Sequence, residues 1–168
     1  MELNFEISKR LSREHLEVIS LLGRLGTFLQ SGGRDHQPDW QGPEVRRVMS
    51  DLRGALRAEI PNHFAIEEEV LFPLFAQENG TDLVELLLDD HQTILGFVAD
   101  LKPLVEKALG SPDGLSQTEW EIFRAKGQAL VTELTAHAEK EEFGFVPPLD
   151  EGLDPATAKD CLNRYLLM

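Results

Sequence analysis

The sequence predicts an all-α fold, an up-down-up-down four-helix bundle with a short C-terminal fifth helix. Three observations predict it. Apolar residues recur at three- and four-residue spacing through four long stretches. No stretch alternates cleanly with period two. The breaks between the stretches carry glycine, proline or capping residues.

The first helix is expected from about Ser8 to Gln30. Leu11, His15, Val18, Ile19, Leu22, Leu25 and Leu29 share one face there. Gly32-Gly33 ends it, and a loop follows through Pro38 to Gly42. The second helix starts near Pro43, a good first-turn residue. It continues through Val45, Val48, Leu52 and Leu56 toward Phe72. Pro61 is expected to kink it, and Pro73 to weaken or end it. The third helix begins at Thr81-Asp82 and reaches about Leu109. Ser116, with Glu119 three residues on, announces the fourth by a capping-box pattern. That helix is expected to reach Phe145 and stop before Pro147-Pro148. The last helix starts at Asp154-Pro155 and carries Cys161, Leu162, Tyr165 and Leu166. Nothing reads as a linker, so residues 1–168 are expected to form one domain. Its bundle covers about 8–149 and its final helix about 154–168.

Composition narrows the class. The 168 residues carry a formal net charge of −14, which disfavours nucleic acid and anionic membrane surfaces as partners. With 42% apolar residues the chain has the means to build a core. The single cysteine, Cys161, excludes a disulfide framework and thiolate metal clusters within the chain. The first residues lack the basic start and apolar run of a signal peptide, and no apolar run approaches a membrane span. A cytoplasmic protein is expected.

Four of the five histidines fall one to each long helix: His15, His63, His91 and His137. Glu59-Ile60-Pro61-Asn62-His63 leads into Glu67-Glu68 and Pro73. Glu133-Leu134-Thr135-Ala136-His137 leads into Glu141-Glu142 and Pro147, 74 residues later. The other two histidines are 76 residues apart, each preceded by an acid, as Glu14-His15 and Asp90-His91. The first helix pair therefore repeats as the second. Counted from the helix ends, neighbouring histidines in an antiparallel bundle differ in height by roughly 2 to 8 Å. All four can share one level. Residues four apart share a helix face, so Glu67 lies beside His63 and Glu141 beside His137. Apolar neighbours place these groups inward.

Four imidazoles and two carboxylates converging in a dry core are costly without a partner, and a metal supplies one. Two metals use the set better than one. If each takes two histidines and both glutamates bridge, each has four protein bonds. A bridging oxide or hydroxide then leaves about one open position per metal. Mixed nitrogen and oxygen ligands suit iron, with manganese or zinc as lesser alternatives. The absence of cysteine ligands disfavours structural zinc.

One His on the first helix, His-x-x-x-Glu on the second, one His on the third and His-x-x-x-Glu on the fourth resembles the hemerythrin-like family of HHE cation-binding proteins. The resemblance covers about residues 8 to 149 and includes Phe72-Pro73 after the first motif. It implies His15, His63, Glu67, His91, His137 and Glu141 as ligands of an oxo- or hydroxo-bridged non-haem di-iron centre. Oxygen-carrying hemerythrins have a second histidine where this chain has Leu95. They also have an aspartate five residues after the last histidine, where this chain has Glu142 and places Glu141 at the shorter spacing. The chain is thus more similar to the four-His two-Glu branch. That branch points away from reversible oxygen carriage and toward reaction with oxygen, peroxide or nitric oxide, or toward sensing.

Glu59 and Glu133, each four residues before its histidine, are the expected outer partners of the imidazoles. Glu68, Glu69 and Glu142 read as a solvated face. His36 reads as a surface-loop residue, Cys161 as a half-buried apolar contact, and Trp40, Trp120 and Tyr165 as packing residues. The expected ligand is a small diatomic molecule or peroxide, and the alternatives are a peroxide-disproportionating enzyme or a metal-binding interaction module. The chain lacks the Glu-x-x-His pair of ferritin-type sites, so bulk iron storage is disfavoured.

Overall fold

The computed structural model describes residues 2–31 and 37–167, and among these every regular element is helical. α1 spans Glu6–Ser31. The next rod is continuous from Pro43 to Asn79. It comprises α2 (Pro43–Gly54), α3 (Ile60–Ile66) and α4 (Phe72–Asn79), joined through wide π-type turns at Ala55–Glu59 and Glu67–Leu71. α5 (Asp82–Gly110) and α6 (Gln117–Gly144) complete the bundle, and α7 (Val146–Gly152) and α8 (Pro155–Tyr165) follow. α1 packs on α2 and α6, and α5 packs on the same two, which closes the ring of four. His36 and the Gly32-Gly33 stop lie outside the described residues.

The second rod does not end at Pro73. A proline has no N–H and its ring crowds the carbonyl one turn back. Here each proline follows a stretch wound wider than an α-helix. The Ile60 N–H, just before Pro61, donates to the Ala55 carbonyl, and the Phe72 N–H, just before Pro73, donates to the Glu67 carbonyl. Each bond reaches five residues back, so the spiral opens where the ring would collide. The second repeat solves the same problem by a break. α6 stops at Gly144, Phe145 takes φ −111°, and α7 restarts with Pro147 in its first turn.

Side-chain caps fix the starts of α6 and α8, where the sequence predicts helix starts. The Ser116 hydroxyl accepts from the Glu119 N–H, and the Glu119 carboxylate accepts from the Ser116 N–H. The Asp154 carboxylate caps α8 by accepting from the N–H groups of Ala156 and Thr157.

The apolar interior is divided in two. One cluster fills the end of the bundle that holds Phe28, Trp40, Met49, Leu56, Leu101, Trp120 and Phe123. The other fills the opposite end with Ile7, Leu11, Val70, Phe72, Leu87, Phe145 and Leu149, and takes in Ala158 and Cys161 of α8. Cys161 is 1% exposed, so it is a full member of this core and not half-buried. The site residues lie between the two clusters. Leu11, Ile66 and Leu87 stand on one side of them, and Ile60, Ile94 and Leu134 on the other.

Asp150, at the end of α7, ties down the start of the chain. Its carboxylate is buried and accepts from the Asn4 N–H (2.7 Å), the Asn4 side-chain amide (2.8 Å) and the Phe5 N–H (3.0 Å). Burial works against its ionisation, but these donors outweigh burial and hold its pKa below the ordinary 3.8. A carboxyl whose folded pKa is depressed stabilises the fold above its unfolded pKa, and that contribution fades as the pH falls through the folded value. Asp150→Ala is therefore expected to cost about 2 kcal/mol at neutral pH. The gap from wild type should close below pH 3.8. Urea midpoints measured across this range check it, and a gap that is constant with pH refutes it.

Candidate metal centre

The six residues singled out from the sequence come together at one level of the bundle. His15 comes from α1, His63 from α3, Glu67 from the first residue of the second wide turn, His91 from α5, and His137 and Glu141 from α6. Helical geometry explains the radial order. A step of four residues overshoots a full turn by about 40°. Moving forward from His63 or His137, that overshoot turns Glu67 and Glu141 deeper, and both are 0% exposed. Moving backward, it turns Glu59 and Glu133 out to solvent, and both are exposed.

Two groups of four ligand atoms result, each with its atoms within 4.8 Å of one another: His15, His63, Glu67 and Glu141, and Glu67, His91, His137 and Glu141. Both glutamates belong to both groups. On the first side, His15 Nε2 lies 3.0 Å from Glu141 Oε2, and His63 Nε2 lies 2.9 Å from Glu67 Oε1. On the second, His91 Nε2 lies 3.4 Å from Glu67 Oε2, and His137 Nε2 lies 3.3 Å from Glu141 Oε2. The paired imidazoles face each other through Nε2, at 3.0 Å for His15 and His63 and 3.2 Å for His91 and His137.

The outer partners are not Glu59 and Glu133. Every ring Nδ1 meets a carboxylate from a neighbouring helix. His63 meets Glu14 at 2.8 Å, His137 meets Asp90 at 3.3 Å, His15 meets Glu142 at 2.7 Å and His91 meets Glu68 at 2.7 Å. The pattern obeys the repeat: the acid before each lone His serves the next motif's His, and the acid after each buried Glu serves a lone His. The signal was present in Glu14-His15, Asp90-His91, Glu67-Glu68 and Glu141-Glu142. Reading along one helix missed it, because the bonds run across helices. Glu68 and Glu142 are thus imidazole partners, though part of each carboxylate still meets solvent.

Charge is correlated through the cluster. Burial opposes protonation of His15, but Glu141 and Glu142 outweigh it and push its pKa up to about 9. Burial likewise opposes protonation of His63, and Glu67 and Glu14 raise its pKa well above the ordinary value. His91 is raised in the same way by Glu67 and Glu68. Burial favours the neutral form of Glu141, but His137 and His15 hold it well below the usual carboxylate range.

The donor set fits metal cations. With each Nδ1–H given to an outer carboxylate, an imidazole that gives up its other proton presents an Nε2 lone pair inward. Two such lone pairs at about 3 Å repel unless a proton or a metal cation stands between or beside them. The oxygens of Glu67 and Glu141 are buried, and the donors nearest them are the imidazoles, which can serve only when protonated at Nε2. Acceptors left without a donor are costly in a dry interior, and cations at the two convergence points would satisfy them.

The two halves differ in their surroundings. Phe64 stacks on His91 with ring centroids 3.6 Å apart, and Phe72 stacks near it at 5.4 Å. His15 and His63, with His137 beside them, border a cavity of ≈ 470 Å³ whose apolar lining includes Val18, Ile60, Phe64, Leu134 and Ala138 and whose polar lining includes Glu59, Asn62 and Tyr165, whereas His91 does not border it.

A helical bundle that brings four imidazoles and two shared carboxylates to one buried level defines a class: bundle proteins built to hold metal cations. The family model for the hemerythrin HHE cation-binding domain matches residues 6–149, and the chain belongs to that family. No curated protein matches the chain. α8 lies beyond the matched residues. No helix among the described residues is long and apolar enough to cross a membrane.

Proposed function

We propose that the chain is a non-haem di-iron protein that binds or reacts with a small ligand, dioxygen, peroxide or nitric oxide, in stress defence or in iron or oxygen sensing. The observation that carries this reading is the pair of four-ligand groups sharing Glu67 and Glu141, whose oxygens are buried. Each position would take two imidazoles and two carboxylates, a mixed set that suits iron over a structural zinc site. Two adjacent irons would supply Lewis acidity and a redox pair. The protein's own contribution is positional. Glu14, Asp90, Glu68 and Glu142 fix each imidazole's tautomer and keep its Nε2 basic. Phe64, Phe72 and the two apolar clusters keep bulk water away. The cavity gives a small ligand its approach to the His15–His63 half.

A second reading, peroxide disproportionation, draws on the same adjacent pair of ligand groups, which would place two metals beside one peroxide. Elemental analysis of protein purified without chelator or nickel tests the shared premise. About two irons per chain are expected. Near zero, or a single zinc, would sink the di-iron reading. With iron present, sustained oxygen release from peroxide separates the enzyme from a binding protein.

A further inference from the structure

The repeat makes the two halves of the centre comparable, and one side carries something the other lacks. Glu14 and Asp90 occupy equivalent places: each precedes a lone His and accepts from the Nδ1–H of the motif His on the next helix. Asp90 is backed by the Lys140 ammonium at 2.7 Å, from within the bundle. Glu14 is backed by a residue from outside it. The Tyr165 hydroxyl, on α8 and 151 residues away in the chain, lies 2.6 Å from both Glu14 oxygens. Arg10 joins them. Its Nε donates to Glu14 at 2.9 Å, and its guanidinium sits 4.1 Å over the Tyr165 ring. The chain of contacts Tyr165–Glu14–His63 therefore runs from the last helix to a buried imidazole. Tyr165 also borders the cavity that His15 and His63 line.

We propose that Tyr165 is a positioning residue for the His15–His63 metal position. Its hydroxyl fixes Glu14, Glu14 fixes the His63 ring, and retention of one of two metals thereby depends on the docking of α8. The matched family residues end at 149, so this contact is supplied by the segment beyond them. The inference rests on the two-metal reading above. Its physical basis is that an outer hydrogen bond sets ligand orientation and basicity, and its loss typically costs about tenfold to hundredfold in metal affinity. The effect should be local, because His91 and His137 take their outer bonds from Glu68 and Asp90.

The test loads the full chain with cobalt(II), whose visible spectrum reports coordination, and follows release into excess EDTA. Tyr165→Phe removes the hydroxyl and keeps the ring under Arg10. It is expected to speed loss of one metal equivalent by about tenfold to hundredfold, while the second leaves at the wild-type rate. Glu14→Gln should reproduce this, and the double variant should be no faster than Glu14→Gln alone, since both act through one chain of contacts. Asp90→Asn should instead speed the other equivalent. Tyr165→Phe behaving as wild type, or both equivalents leaving equally faster, overturns the inference: either result makes Tyr165 a packing residue only. A wild-type chain that takes up no metal overturns the two-metal reading itself, and this inference with it. Two retained metals with an indifferent Tyr165→Phe overturn this inference alone.

Discussion

Glu141→Ala is expected to empty both metal positions, whereas His91→Ala is expected to cost only one. The difference follows from membership. Glu141 stands in both four-residue groups, and His91 in one. Removing a shared carboxylate takes a charged ligand from each position. It also takes away the carboxylate that faces the Nε2 atoms of His15 and His137, at 3.0 and 3.3 Å. Loss of a direct ligand should exceed the effect of an outer partner, so at least about hundredfold weaker binding is expected at each position. Metal per chain after dialysis against a weak chelator reads this directly: near zero for Glu141→Ala, near one for His91→Ala. A Glu141→Ala chain that keeps one metal would refute the shared-carboxylate arrangement. Glu67→Ala serves as the independent check, because Glu67 is the other shared member.

The second large effect is on stability. Gly114 sits in the turn before α6 with φ +66°, a conformation that costs a side-chain-bearing residue about 1 kcal/mol. A Cβ there would also overlap the Trp40 indole ring. That ring cannot easily yield. It packs edge-on against Phe28 and Trp120, with centroids 6.4 and 5.6 Å away, and Trp120 is fully buried. Overpacking of this kind costs typically 1–3 kcal/mol, so Gly114→Ala is expected to destabilise by about 3 kcal/mol in total. Gly80 is the control. Its φ is +81°, and a Cβ there would meet nothing within 4 Å. Its ψ is 176°, a combination reserved almost wholly for glycine, so Gly80→Ala should cost about 2 kcal/mol from the backbone alone. Denaturant midpoints check both, and a Gly114→Ala loss of only about 1 kcal/mol would show that the indole moves aside.

Much of this architecture is written locally. Ser116 with Glu119, and Asp154 with Pro155, mark their helix starts by chemistry confined to one turn. The histidine level is legible because it needs only helix lengths and one inward face. The two buried glutamates follow from a four-residue step. What escapes is whatever depends on a second helix. The wide turns at Ala55–Glu59 and Glu67–Leu71 leave no clear local mark: prolines at 61 and 73 announce a disturbance, but only packing decides between a break, a kink and a widened spiral. The outer acids escape for the same reason. Glu59 and Glu133 lie on the correct helix and the wrong azimuth, whereas Glu14 and Asp90 reach the motif histidines only once neighbouring helices are placed beside one another. Tyr165 depends on where α8 docks, which its own eleven residues do not state.

The division of the apolar interior has a consequence for how the molecule holds together. In an undivided core, every side chain helps hold every other, and melting is all or none. Here a charged belt separates the Trp40–Trp120 end from the Phe72–Phe145 end. The long helices cross the belt, Phe64 and Phe72 reach its His91 ring from the two clusters, and the rest of the attraction across it depends on what the imidazoles and carboxylates grip. With cations in place the belt is a seam that fastens the two ends together. Without them it is a line of weakness, along which one end can loosen while the other keeps its packing. The cations would then act as the stitching between two cores, in addition to any chemistry they perform.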